Sequence, residues 1–349
     1  MSLERHPHSR YNPLLREWLL VSPERSERPW QGQLEKATPE ASPAYAEDCP
    51  LCPGNTRASG IRNPSYAAPF VFDNDFAACL PDTAEGELNE RGLIVARAER
   101  GICRVVCFSP RHDLTLATLE ATEIQRVVED TFRALGAPRM SFASIIGSGP
   151  NSLILHYFEN SRRMEAGDVV VMDVGAEYGR YAGDITRTAP VSGKFTPRQR
   201  EVYEIVLEMQ SRVFAACRPG VTLADLNNVA RAYATEKGYG AYFNFSGWRH
   251  GTSHSLGLDA HDTFISGRPL AAGMVITVEP GIYLPAENLG MRLEDDVLIT
   301  ETAGVVLTAD VPREAADIEA VMAGRFQPGP RGDRGRETIP APGRRKVKD

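Results

Sequence analysis

Asp173 and Asp184 stand eleven residues apart in VMDVGAEYGRYAGDIT, a stretch that otherwise reads as a buried hairpin. With Tyr178-Gly179 as a two-residue turn, residue 173 falls opposite 184. Directly opposed residues on antiparallel strands share a face, with Cβ atoms roughly 5 Å apart. Two like charges there repel, and burying them unpaired costs several kcal/mol. A cation between them is the expected remedy. The same anomaly recurs in His254 and His261 of HGTSHSLGLDAHD, Glu279 of VITVEPG and Glu294 of MRLEDDVLI. Any one alone has a plain explanation, because an isolated buried carboxylate finds an arginine or a backbone amide. Four carboxylates in strand contexts, together with an imidazole, form a hard, oxygen-rich donor set suited to one or two divalent cations. Shared carboxylates can bridge two such ions ~3.5 Å apart, as in two-metal hydrolases.

The elements that must position these groups lie in the second half of the chain. ASIIGSG, SLILHYF, DVVVMDVG and YAGDITRTAPV read as consecutive strands. A helix follows, started by a capping box of Thr196, Pro197 and Gln199 and striped by Val202, Ile205, Val206, Met209 and Val213. Pro219-Gly220 ends it. A second helix is expected over about 223–237, then strands in MVITVEPGIY and MRLEDDVLIT. The first ~120 residues have a different grammar, with short strand-like runs (EWLLVSP, PFVFDNDF, ICRVVCFSP) between Pro, Gly and Asn punctuation. Between the halves, Ile124, Val127, Val128 and Phe132 repeat at helical spacing and Gly136 offers a stop.

With 349 residues the chain has room for about two domains. It is 42% hydrophobic, 24% charged, and lacks an apolar run of ~18 residues, so no membrane span is expected. The start, MSLERHPHSRYNPLL, has no signal-peptide apolar core, which places the protein in the cytoplasm. Of six cysteines only Cys49 and Cys52 form a CxxC pair, read as a metal clip rather than a disulfide. The net charge is −7, yet residues 326–349 carry seven Lys/Arg against three Asp/Glu, leaving −11 on the rest. That balance argues against a nucleic-acid surface on the folded body, and the Pro-, Gly- and Arg-rich tail is expected to be a disordered, solvated extension.

Two resemblances organise these observations. DVGAEYGRYAGDITRTAPVSGKFTPRQREVYEIVL, HGTSHSLGLDAHD, VITVEPGIY and MRLEDDVLIT resemble the catalytic, pita-bread domain of Xaa-Pro aminopeptidases, metallopeptidase family M24, over about residues 132–322. The resemblance implies that Asp173, Asp184, His254, Glu279 and Glu294 are the metal ligands, with Asp184 and Glu294 bridging two cations, usually manganese. It implies that Glu279 is the general base, that His261 steadies the tetrahedral intermediate, that His250 and His156 face substrate, and that Arg292 lies behind the bridging glutamate. The implied substrate is a peptide with proline at its second position. In that family the domain opens with a pair of helices, preceded by a further domain that contributes to oligomerisation, and a homo-oligomer is admitted here. Other pita-bread activities, such as creatinase or methionine aminopeptidase, remain open, although the wording of the last motifs favours the prolyl enzymes.

HPHSRYNPLLREWLLVSPERSERPWQGQ, CPLCPGNTRASG, FVFDNDFAA and RGICRVVCFSPRHDLTLATL resemble the N-terminal part of galactose-1-phosphate uridylyltransferase. That resemblance puts Arg25, Arg28, Asn74 and Asp75 on nucleotide-sugar contacts, and Cys49, Cys52 and His112 on three of four ligands of a structural zinc. The fourth ligand and the nucleophile belong to a later His-Pro-His motif, which falls where this chain has already switched. His6-Pro7-His8 sits at the family's ordinary N-terminal position and reads as a decoy. The expected fold is therefore α+β, with a partial HIT-like uridylyltransferase segment over 1–130, a pita-bread metallopeptidase domain lacking its first helices over 131–325, and the basic tail. The alternatives to an aminopeptidase are a zinc- and nucleotide-sugar-binding remnant without its nucleophile, and a non-catalytic chimera.

Overall fold

The computed structural model describes residues 6–12, 17–23, 25, 43–90, 94–114, 118–245 and 250–323. Arg28 and the basic tail lie outside the described residues. The described residues fall into two compact units, divided between residues 116 and 117.

The first unit holds β1 (His8–Asn12), β2 (Glu17–Val21), β3 (Phe70–Asp73), β4 (Glu87–Glu90), β5 (Ile94–Ala98) and β6 (Arg104–Cys107). A four-stranded antiparallel sheet runs β2-β1-β5-β4, and β3 pairs with β6 in a separate ribbon. The three strand-like runs of the first half supply β2, β3 and β6.

The second unit begins with α1 (Ala121–Ala134), whose N-terminus is closed by a capping box between Glu120 and Glu123. Gly136, at φ 98°, turns the chain after it, a conformation that an L side chain adopts only with strain. Then come β7 (Arg139–Met140), β8 (Ile145–Ser148), β9 (Val169–Val174), β10 (Ala176–Tyr178), β11 (Tyr181–Ala182) and β12 (Ile185–Pro190). Strands β12-β9-β8 form one antiparallel sheet and β11-β10-β7 a second. Helices α2 (Pro197–Ala216) and α3 (Leu223–Glu236) follow, each opened by a threonine capping box, Thr196 with Gln199 and Thr222 with Asp225. The chain closes through β13 (Ser255–Leu256), β14 (Val275–Val278), β15 (Gly281–Leu284), β16 (Leu289–Arg292), β17 (Asp295–Ile299), β18 (Gly304–Val306) and α4 (Ala315–Met322). A third sheet runs β13-β14-β17-β18, and β15 pairs with β16. Val202, Val206, Met209 and Val213 of α2 are fully buried, with Leu226 and Ala230 of α3 and Ile276, Ile282 and Val297 of the sheets. This is the core against which the strands carrying the ionisable groups are held.

Three sequence expectations need correction. The hairpin turn is Gly179-Arg180, both at positive φ as a type I′ turn requires, so Tyr178 pairs with Tyr181. Asp173 consequently faces Thr186, not Asp184. Side chains alternate with period two, so Asp184 still shares the face of Asp173, as a diagonal neighbour. SLILHYF is not a strand, because Gly149 at φ 53° and Pro150 start a 3-10 turn over Gly149–Leu153. MVITVEPGIY and MRLEDDVLIT each split into two strands, and Glu279 and Glu294 occupy the breaks.

Gly175 sits where the hairpin arms converge beside the two aspartates. A Cβ there would lie 2.0 Å from the Gly183 carbonyl oxygen and 2.8 Å from Phe142 Cε1. Backbone cannot retreat from such a contact without moving Asp184. Gly175→Ala is expected to lower unfolding free energy by about 2–4 kcal/mol, read as a shift in the urea midpoint.

Candidate active site

The five residues proposed as ligands reach one cavity of about 490 Å³, from four separate stretches of chain. Asp173 comes from β9, Asp184 and His254 immediately precede β12 and β13, and Glu279 and Glu294 lie in the breaks after β14 and β16. Arg187 fixes this convergence. Its guanidinium donates to Asp295 Oδ1 at 2.7 Å, to the Glu294 carbonyl at 2.7 Å and to its neighbour Thr186's carbonyl at 2.9 Å. It thereby ties β12 to β17 beside Asp184 and Glu294.

His254 is the hub. Its Nε2 stands 3.7 Å from Asp184 Oδ2, 3.7 Å from Glu279 Oε1 and 3.8 Å from Glu294 Oε1. Its Nδ1 lies 3.2 Å from the Ser255 carbonyl, which can only accept, so Nδ1 carries the proton and Nε2 points its lone pair into the space between the carboxylates. Burial holds the His254 pKa down to about 4, so the ring is neutral at pH 7 and cannot supply the missing positive charge. Donor atoms of Asp184, His254 and Glu294 all lie within 4.8 Å of one another.

The carboxylates repel as anticipated. Burial, then Asp173 and Glu279, push Asp184 up to about 10. Burial raises Glu279 to about 8, against the pull of Arg292, and lifts Glu294 well above the usual range. Asp173 Oδ1 and Asp184 Oδ1 are buried without a hydrogen-bond partner. Orphaned carboxylate oxygens beside an acceptor imidazole fit divalent cations, and these residues would hold them.

Arg292, fully buried, donates Nη2–H to Asp173 Oδ2 at 2.7 Å and Nη1–H to Tyr283 Oη at 3.2 Å. Tyr283 in turn faces His250 Nε2 at 3.0 Å, and His250 Nδ1 faces the Gly251 carbonyl at 2.8 Å. Donor and acceptor assignment is forced from both ends. Nδ1 must donate, so Nε2 accepts the Tyr283 hydroxyl proton and His250 is neutral, its pKa pushed down to about 3 by burial. Tyr283 was missed in the sequence because a tyrosine inside EPGIY carries no signal beyond strand packing. Thr186 was missed for the same reason, yet its Oγ1–H donates to Glu294 Oε2 at 2.7 Å. Tyr283→Phe breaks the link between Arg292 and His250 and leaves the His250 Nε2 unsatisfied. For the peptide hydrolysis proposed below, a roughly tenfold fall in kcat/KM with the fold intact is expected, measured alongside circular dichroism.

His261 and His156 also line the cavity. The His261 ring lies 4.1 Å from that of His254 and 6.4 Å from that of His156, centroid to centroid. Phe142, Ile145, Leu155 and Phe158 add an apolar wall.

In the first unit, the donor atoms of Cys49, Cys52 and His112 lie within 4.8 Å of one another, with Cys52 Sγ 3.6 Å from His112 Nδ1. Burial pushes the Cys52 thiol up, so a cation would have to draw off its proton. Three soft and borderline donors of this kind fit Zn²⁺. Arg25, Asn74 and Asp75 line a second cavity of about 200 Å³, together with Arg57, which stacks 4.0 Å over Phe72 and pairs with Asp75 at 3.3 Å. His8 is buried in β1, its Nδ1 against the His6 carbonyl and its Nε2 accepting from Arg10 Nε at 2.9 Å. Both ring nitrogens are occupied by the framework.

The fold that carries these buried carboxylates and the acceptor histidine is that of the pita-bread metallopeptidases. Residues 95–301 match the model of metallopeptidase family M24, and the chain belongs to that family. Residues 1–145 match the N-terminal domain of galactose-1-phosphate uridyl transferase. The Xaa-Pro aminopeptidase of Escherichia coli is 42% identical over 222 residues, covering 56% of this chain and 50% of the relative. That of Haemophilus influenzae is 41% identical over 227 residues, 57% of this chain and 52% of the relative. The galactose-1-phosphate uridylyltransferase of Haemophilus influenzae is 50% identical over 135 residues, 38% of this chain and 39% of the relative. Zn-substituted Escherichia coli aminopeptidase P in complex with product superposes with a TM-score of 0.55 at 37% identity, over 60% of this chain and 54% of that one. The chain thus spans about half the length of the curated peptidases it matches. No helix among the described residues is long and apolar enough to cross a membrane.

Proposed function

We propose that the second unit is a dinuclear, metal-dependent aminopeptidase that hydrolyses the bond between an N-terminal residue and proline. The observation that carries this reading is the convergence of Asp184, Glu279 and Glu294 on the acceptor nitrogen of one neutral histidine. Asp173, Asp184, His254, Glu279 and Glu294 would hold two divalent cations, manganese being the favoured pair. When bound, such cations supply Lewis acidity, which brings the ionisation of a water close to neutral pH. Glu279 takes the proton from the attacking water and passes it to the leaving proline nitrogen. Its separation of 3.6 Å from His250 Nδ1 keeps it beside the substrate-facing histidines. His261, open to the cavity, donates a hydrogen bond to the oxyanion that develops at the scissile carbonyl. His156 and His250 orient the peptide, and Arg292 holds Asp173 in place. The domain is read as running over 131–325 in a cytoplasmic protein, for which a homo-oligomer is admitted.

The test is direct: count metals in the purified chain by elemental analysis, then assay an Xaa-Pro dipeptide with added Mn²⁺. Two cation equivalents beyond the zinc assigned to Cys49, Cys52 and His112, and turnover of the prolyl peptide over its Xaa-Ala counterpart, are expected. A metal-loaded chain that leaves the prolyl peptide intact rules the reading out.

The second cavity favours one subsidiary reading of segment 1–130. Arg25, Arg28, Asn74 and Asp75 bind a uridine nucleotide without transferring it, while Cys49, Cys52 and His112 hold a zinc. UDP binding by calorimetry, lost in Arg25→Ala, is the expected result, and an unchanged heat trace would discard it.

A further inference from the structure

The cysteine cluster and the second cavity, both in the first unit, share one short stretch of chain. Pro50 and Leu51, the two residues between Cys49 and Cys52, line the cavity. The cysteines on either side of them bring their sulfurs together with His112. Part of the cavity wall is therefore a loop whose two ends are cation donors.

Hydrogen bonds hold that loop from several directions. Leu51 N–H donates to Cys49 Sγ at 3.4 Å, and Cys52 N–H donates to the Cys49 carbonyl at 3.3 Å. Asn63, buried, donates Nδ2–H to the Pro50 carbonyl at 2.9 Å and to the Cys52 carbonyl at 3.2 Å. Tyr66 Oη–H donates to the Leu51 carbonyl at 2.5 Å. The Tyr66 ring stacks 5.2 Å from Phe70, and Phe70 stacks 5.5 Å from Phe72, the cavity ring that lies under Arg57. Cluster and cavity are thus joined twice, by the loop itself and by this aromatic row.

One of these bonds depends on the state of a sulfur. A cysteine that ligates a cation gives up its proton, and a thiolate is a stronger acceptor than a thiol. Loading the cluster therefore tightens the bond from Leu51 N–H to Cys49 Sγ, while Cys49 and Cys52 become tied through the shared ion. A wall that is already fixed costs an incoming ligand less ordering free energy than a wall the ligand must fix itself.

We propose that Pro50 and Leu51 couple the two sites, so that a cation at Cys49, Cys52 and His112 and a uridine nucleotide in the second cavity bind cooperatively. The proposal rests on the uridine-nucleotide reading of segment 1–130. Such coupling is reciprocal: the factor by which the cation strengthens nucleotide binding is the factor by which the nucleotide strengthens cation binding.

The full chain is compared with Zn²⁺ bound and after chelation, with Mn²⁺, which prefers oxygen donors to thiolates, supplied equally to both. UDP titration by calorimetry is expected to give a dissociation constant roughly fivefold or more higher in the chelated chain. In the reverse direction, Co²⁺ is titrated against a competing chelator and followed by its thiolate charge-transfer absorption, which the peptidase cavity, lined by no cysteine, cannot produce. Saturating UDP is expected to tighten Co²⁺ by the same factor. Leu51→Ala, which keeps both sulfurs and the backbone N–H, is expected to bring the two UDP dissociation constants together. Amide exchange over β1 and β5 should be unchanged by chelation. Equal UDP affinity with and without Zn²⁺ overturns the coupling and leaves the nucleotide reading standing. Exchange that opens β1 and β5 on chelation also overturns it, since the cation would then be holding the whole unit together rather than one wall. A Zn²⁺-loaded chain that binds no UDP overturns both.

Discussion

Glu279→Gln is expected to lower kcat/KM for an Xaa-Pro dipeptide by roughly 10³–10⁴-fold with cations in excess. Glutamine keeps the volume and one oxygen donor of the side chain, so the cavity should survive. What it loses is the capacity to receive a proton. Glu279 is suited to that step because burial raises its affinity for a proton, and Arg292 pulls the other way. The Michaelis constant should move far less than kcat, since the lost interaction belongs to the transition state. Initial rates across a substrate series, with elemental analysis of the variant, make the measurement. Turnover within tenfold of the parent, with the metals in place, would remove Glu279 from the acid–base role.

The second large effect is on stability. Adding Mn²⁺ to cation-free protein should raise Tm by roughly 5–10 °C at ~100 times the dissociation constant, which corresponds to about 2.7 kcal/mol. The increment should grow with pH, and its sign follows from the carboxylates. Asp184 is raised to about 10 from 3.8 and Glu279 to about 8 from 4.5, so the cation-free fold binds more protons than the unfolded chain between those values. Their contribution to stability is fully present below pH ~4 and is lost as pH rises through the folded values. Cation-free Tm should therefore fall between pH 6 and 9, while the loaded protein, whose carboxylates are held ionised, should lose little. Asp184→Asn should flatten the cation-free profile, because an amide cannot release a proton. Equal Mn²⁺ increments at pH 6 and pH 9 would mean that the carboxylates do not carry the shared burden assigned to them.

Much of the fold was legible in local chemistry. The capping box at Thr196 and Gln199 and the stripe of α2 placed that helix from sequence alone, because both signals are written within one or two helical turns. The hairpin was legible as a hairpin but not in register. Tyr178-Gly179 and Gly179-Arg180 both offer a glycine, and the choice rests on which alignment lets β9 and β12 pair along their whole length. The break at SLILHYF was hidden because its apolar residues satisfy a strand pattern as well as they do a 3-10 turn followed by a loop.

By itself the sequence determined which residues are out of place. Asp173, Asp184, His254, Glu279 and Glu294 are costly in apolar surroundings, and that cost is a property of residue type and neighbours along the chain. Cys49, Cys52 and His112 were marked in the same way, by donor chemistry and by resemblance. Only the tertiary structure decided how each group is held. Arg187 joining β12 to β17, Tyr283 between Arg292 and His250, and Thr186 on Glu294 are contacts across 9 to 108 positions of chain. Such pairs leave no periodic trace, because a hydrogen bond between distant segments constrains two side chains and asks nothing of the residues between them.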